Sequence, residues 1–98
     1  MTKTMEIIKE KAVPILKEAG VTRSALFGSI VRGEETKDSD VDVLVEVPRG
    51  MGIFKFIALE RRLGEALGRK VDLVSYKALH PLLKDRILEE QIPIYEER

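Results

Sequence analysis

Residues 26–47 read LFGSIVRGEETKDSDVDVLVEV. Within this stretch Val41, Val43, Val45 and Val47 alternate with Asp40, Asp42, Leu44 and Glu46. Successive side chains of a β-strand point to opposite faces, so the alternation predicts a strand over 40–47 with one all-valine face. Positions i and i+2 share a face with Cα atoms roughly 6.6 Å apart, so Asp40 and Asp42 aim two carboxylates at one region. Just upstream, Val21–Phe27 reads as a short strand ending at Gly28-Ser29. Residues 30–33 allow a single helical turn, and EETKDS (34–39) is a polar loop.

Outward from this centre the pattern becomes helical. Ile7, Ile8 and Leu16 recur at helical spacing and Gly20 follows as a stop, which predicts a helix over 3–19. Pro14 has no N–H to donate, so a kink or break is expected there. PRGMG (48–52) is rich in breakers. Phe56, Leu59, Leu63 and Leu67 mark a second helix over 54–67 closed by Gly68. KVDLVS (70–75) reads as a third strand, and His80-Pro81 opens a third long helix through Leu82, Leu83, Ile87 and Leu88. IPIY (92–95) suits a last edge strand, where Pro93 is tolerated. Helices alternating with short strands predict an α/β (α+β) fold, a small mixed β-sheet with helices packed on it.

The chemistry follows from the acids. Hard cations such as Mg²⁺ take oxygen ligands and complete their shell with substrate phosphates. Two ions about 3.5–4 Å apart can clamp the attacking and leaving oxygens of a phosphoryl transfer. Sharing two ions usually takes a third carboxylate, and Asp72, an acid in the otherwise apolar KVDLV strand, is the candidate. Gly28-Ser29 sits where strand turns to helix, so backbone amides and the Ser29 hydroxyl can meet a phosphate. Arg32 matches phosphate oxygens with a planar fork of donors.

Each residue alone has a plainer reading. Asp40 and Asp42 could form the wet face of a half-buried strand, and Gly28-Ser29 an ordinary turn. Arg32 could serve in a surface ion pair, and Asp72 could pair with Arg69 or Lys70. His80, the one histidine, reads as a cap or packing residue rather than a base. The combination in one small chain favours the chemistry.

Composition sets limits. Ninety-eight residues suit one domain, 1–98, and 17 basic residues balance 17 acidic ones. Zero net charge gives no general attraction to nucleic acid or anionic membrane. The absence of cysteine excludes thiolate metal sites and a Cys nucleophile. No apolar run has the length of a membrane span, and a cytoplasmic location is expected. Asparagine is absent and Gln91 is the single glutamine, a lean towards heat adaptation.

GSIVRGEETKDSDVD is Gly-Ser, ten residues, then Asp-x-Asp. It resembles the signature of the nucleotidyltransferases related to DNA polymerase beta, and most of all the minimal nucleotidyltransferase group. The flanking Arg32, Gly33 and Ser39 match as well, and the resemblance runs through KVDLV to the C-terminal segment. It implies a palm-like core with Asp40, Asp42 and Asp72 as the catalytic, metal-binding triad for two Mg²⁺ ions. Gly28, Ser29, Arg32 and Ser39 would bind the triphosphate of ATP, and Asp72 would help deprotonate the acceptor hydroxyl. Relatives of this kind pair with a small helical HEPN toxin and act as its antitoxin, transferring AMP to a toxin tyrosine. Met51, Ile53, Phe54 and Phe56 form a candidate partner-facing patch, although Phe56 reads better as core. Two rivals stand beside this: an antitoxin that masks its partner by contact alone, and transfer of a nucleotide to a small molecule. Self-association is left open.

Overall fold

The computed structural model describes residues 1–36 and 38–97. Lys37, in the loop expected over 34–39, and Arg98 lie outside the described residues. The elements, in chain order, are α1 (Lys3–Glu18), β1 (Arg23–Phe27), α2 (Ser29–Arg32), β2 (Val41–Glu46), α3 (Ile53–Leu67) and β3 (Val71–Ser75). A 3-10 turn (Tyr76–Ala78), α4 (Pro81–Glu90) and β4 (Ile92–Glu96) complete the chain.

The strands form one mixed sheet in the order β3-β2-β1-β4. β1 runs antiparallel to β2 and to β4, whereas β2 and β3 are parallel. The parallel pair is joined through α3, as a crossover requires. Pro93 lies on the edge strand β4, where a missing N–H disturbs the ladder least.

One face of the sheet carries the core. Met5, Ile8, Ala12 and Leu16 of α1 and Leu59 and Leu63 of α3 bury against Leu26, Val41, Val43, Val45 and Leu73. The valine face expected from the alternation of β2 is thus the core face. Its neighbour Leu44 is also fully buried, on the opposite face beside Ala25. There the 3-10 turn and α4 lie over the sheet: Lys84 and Leu88 line a cavity with Arg23, Glu46 and Tyr76. Arg23 stacks on the Tyr76 ring at 4.0 Å, and the Tyr76 hydroxyl donates to Gln91 at 2.8 Å. Beside this second cover Asp42 is half-buried and Asp72 exposed.

Two local expectations concern the helices. Pro14 does not break α1, which runs unbroken from Lys3 to Glu18. Pro14 and Glu10 are both exposed, so the carbonyl left without a helical donor can be served by water. His80 is a cap: its Nδ1 accepts from the Leu82 amide at 3.1 Å, with Pro81 at the first helical position. At the start of α3, Phe56 packs against the core while Phe54 is 85% exposed.

Candidate active site

The turn from β1 into α2 is built on one residue that can only be glycine. Gly28 has φ +78° and ψ −152°, a conformation costly for any side chain. A Cβ there would also overlap the Asp42 carboxylate. The Phe27–Asp42 register pairing between β1 and β2 brings the turn to the acid. The first turn of α2 receives no side-chain cap from Gly28. The Val31 and Arg32 amides donate to the Gly28 carbonyl at 3.1 and 3.2 Å, so an anion would be met by the amides ahead of them.

The acids gather around this turn. Asp42 and Asp72 are register partners on the parallel strands β2 and β3, so their side chains leave the same face. Asp40 lies two residues before Asp42, ahead of the strand, with Lys70 Nζ at 3.8 Å. Asp72 is exposed and Asp42 half-buried. Asp42 is consequently pushed up to about 6, first by burial and then by the charges of Asp72 and Asp40, with Arg32 pulling the other way and Glu90 adding to the rise.

A divalent cation suits this donor set. All three groups are hard oxygen ligands, and the crowding that raises Asp42 is what a bound cation relieves. As the side chains stand, no three His, Cys, Asp or Glu groups among the described residues converge closely enough to hold one ion. Asp40, Asp42 and Asp72 are the residues that would turn towards it.

The remaining sequence candidates divide. Ser29 opens α2, and Arg32 closes it on the same side as Asp42, whose charge it feels. Arg32 also makes the ion pairs its plainer reading suggested: Nε to Glu34 at 2.7 Å and Nη1 to Glu90 at 3.0 Å. These contacts, Glu34 foremost, raise its pKa further and keep it charged. Ser39 faces its own loop, its hydroxyl accepting from the Thr36 amide at 2.8 Å. Asp72 does not take Arg69 as its partner. Arg69 instead binds Glu35 at 2.8 Å, the Ser39 carbonyl at 2.9 Å and the Thr36 carbonyl at 3.2 Å.

Two residues at the site were not found from sequence. Glu90 accepts from the Gly28 amide at 2.8 Å although the two are 62 positions apart. Arg69 anchors the loop that leads into Asp40. The only sequence signal for Glu90 is an acid at the C-terminal end of a helix, where the helix dipole disfavours it.

Comparison with known proteins gives this arrangement its context. The model of the nucleotidyltransferase domain matches residues 9–94. The chain belongs to the nucleotidyltransferase domain family. A candidate protein adenylyltransferase of Methanocaldococcus jannaschii, MJ0435, is 45% identical over 87 residues, covering 89% of this chain and 94% of that one. The protein adenylyltransferase MntA of Thermococcus cleftensis is 42% identical over 73 residues, 74% of each chain. Among solved structures, a candidate minimal nucleotidyltransferase superposes with a TM-score of 0.81 at 35% identity, covering 93% of both chains. The fold is shared with the complex of an MNT antitoxin and a tri-AMPylated HEPN toxin from Shewanella oneidensis, at a TM-score of 0.73 and 19% identity, over 93% of this chain and 71% of that one. The minimal nucleotidyltransferase core expected from Gly-Ser and Asp-x-Asp is therefore the observed one. No helix among the described residues is long and apolar enough to cross a membrane.

Proposed function

We propose that this nucleotidyltransferase moves AMP from ATP to a hydroxyl, expected to be a tyrosine, on a HEPN-type toxin partner, and so acts as its antitoxin. The observation that carries the reading is the Asp42–Asp72 row facing the Gly28-Ser29 turn. Relatives named protein adenylyltransferases support it, as does the shared fold with the AMPylated toxin complex.

In this reading the turn at Gly28-Ser29 and Arg32 hold the triphosphate. Mg²⁺ held by Asp40, Asp42 and Asp72 would neutralise phosphate charge and lower the barrier to displacement. The acceptor oxygen forms a bond to the α-phosphorus, the bond to the bridging oxygen breaks, and pyrophosphate leaves. Asp72, the more exposed acid of the pair, takes the acceptor proton. Positioning and electrostatics carry most of such a transfer, so a bare core suffices when the partner presents its own hydroxyl.

A contact-only antitoxin is the second reading, favoured by Ile53 and Phe54, which are 65% and 85% exposed at the start of α3. One experiment separates the two. The chain, a HEPN-type partner, labelled ATP and Mg²⁺ are incubated, and the partner is weighed intact by mass spectrometry. AMP added to the partner by the wild type and absent with Asp42→Asn supports transfer. A stable complex with no added mass overturns it in favour of masking.

A further inference from the structure

Glu90 ends α4 with its carboxylate inside the turn assigned above to the triphosphate. One oxygen accepts the Gly28 amide at 2.8 Å, and the two oxygens lie 3.0 and 3.2 Å from Arg32 Nη1. A backbone amide and a guanidinium converging on paired oxygens is how proteins hold a phosphate. The Glu90 side chain is only 17% exposed, against 56% for Glu34, the other acid on Arg32.

Two other features of the position are unfavourable for an acid. It lies at the negative end of a helix dipole. It also adds its charge to those of Asp72 and Asp40 around Asp42. The Gly28 and Arg32 contacts are what offset this, and they are the contacts a triphosphate needs.

We propose that Glu90 is a built-in competitor for the phosphate grip: its carboxylate occupies the Gly28 amide and the Arg32 guanidinium until a nucleotide triphosphate displaces it. The proposal rests on the reading of Gly28 to Arg32 as that grip. It makes nucleotide affinity weaker than the grip alone would give, and it ties release of the α4 end to nucleotide arrival. A carboxylate that leaves as a more highly charged triphosphate enters also limits the charge that builds up between Asp42 and Arg32.

The test compares the full-length wild type with Glu90→Gln and Glu90→Ala by calorimetric titration of inorganic tripolyphosphate and of ATP, each with Mg²⁺. Circular dichroism and thermal midpoints establish that each variant is folded. Glu90→Ala is expected to bind both ligands about tenfold more tightly, equivalent to about 1.4 kcal/mol. Glu90→Gln, which keeps a neutral acceptor for the Gly28 amide, falls between it and the wild type and carries the test should the alanine variant not fold. Unchanged or weaker binding by folded variants, with the wild type binding normally, overturns the competitor role and leaves Glu90 as a brace between α4 and α2. Failure of all three proteins to bind either ligand overturns the phosphate grip itself, and the competitor with it.

Discussion

Asp42 and Asp72 stand side by side on parallel strands, facing a turn that leaves no room for a Cβ. That relationship sets up a repulsion the fold sustains and a ligand can relieve. Burial and the neighbouring acids raise Asp42 from 3.8 to about 6. The protonated form is thus favoured in the folded state. Its stabilising contribution is present below the unfolded value and is lost as the pH rises through about 6. Without metal, wild-type stability should fall between pH 4 and 6, while Asp42→Asn should lack this phase. At neutral pH the variant should be more stable by about 1–2 kcal/mol, after allowance for solvent screening. Thermal melts of both proteins in chelator across that range read the difference directly.

Metal should act on the same balance with the opposite sign. Millimolar Mg²⁺ is expected to raise the melting temperature of the wild type at neutral pH, and EDTA to reverse the rise, because a ligand bound by the folded state alone stabilises it by mass action. Asp42→Asn should show little response. An equal shift in both proteins would place the ion elsewhere.

The sequence was most legible where side-chain alternation and burial agree. The valines of β2 face the core because α1 and α3 cover that side, so period two in the sequence became a buried face in the fold. The pairing of Asp72 with Asp42 needed the parallel register, which only the crossover through α3 supplies. Leu44, on the face opposite the valines, is buried as well, which the alternation alone does not show. Glu90 was barely legible: only its place at a helix C-terminus marks it locally, and its contact with Gly28 joins residues 62 positions apart. Pro14 leaves α1 unbroken, and its effect depends on whether the orphaned carbonyl meets water or protein.

Gly28→Ala tests the turn. Positive φ and the overlap with Asp42 act together, so the substitution should cost about 1–3 kcal/mol and displace the Asp42 carboxylate. The expected outcome is a lowered melting temperature, with loss of transfer to the partner at temperatures where the variant is still folded. Gly33→Ala is the useful contrast. Its φ is also positive, +73°, but no atom lies within 4 Å of the added Cβ. A comparable stability loss with transfer retained would show that contact with Asp42, rather than backbone strain, is what matters for activity.

Arg69 should matter to the site without touching it. It closes α3 into β3 and reaches back to Glu35, Thr36 and Ser39, three acceptors on the loop that delivers Asp40. Two of these are backbone carbonyls, so the contacts fix the loop's path rather than one side chain. Arg69→Ala removes a charge-assisted bond and leaves the partly buried Glu35 without its cation, which should cost about 2–3 kcal/mol. Arg69→Lys should recover only part of this, because one ammonium cannot reproduce the planar fork that serves Glu35 and both carbonyls. Amide hydrogen exchange is the discriminating measurement. Faster exchange around residues 36–41, with β1 and α1 unchanged, is expected of a loop that has lost its anchor. Uniformly faster exchange would instead mean that Arg69 supports global stability alone, and the placement of Asp40 would then have to come from β2 itself.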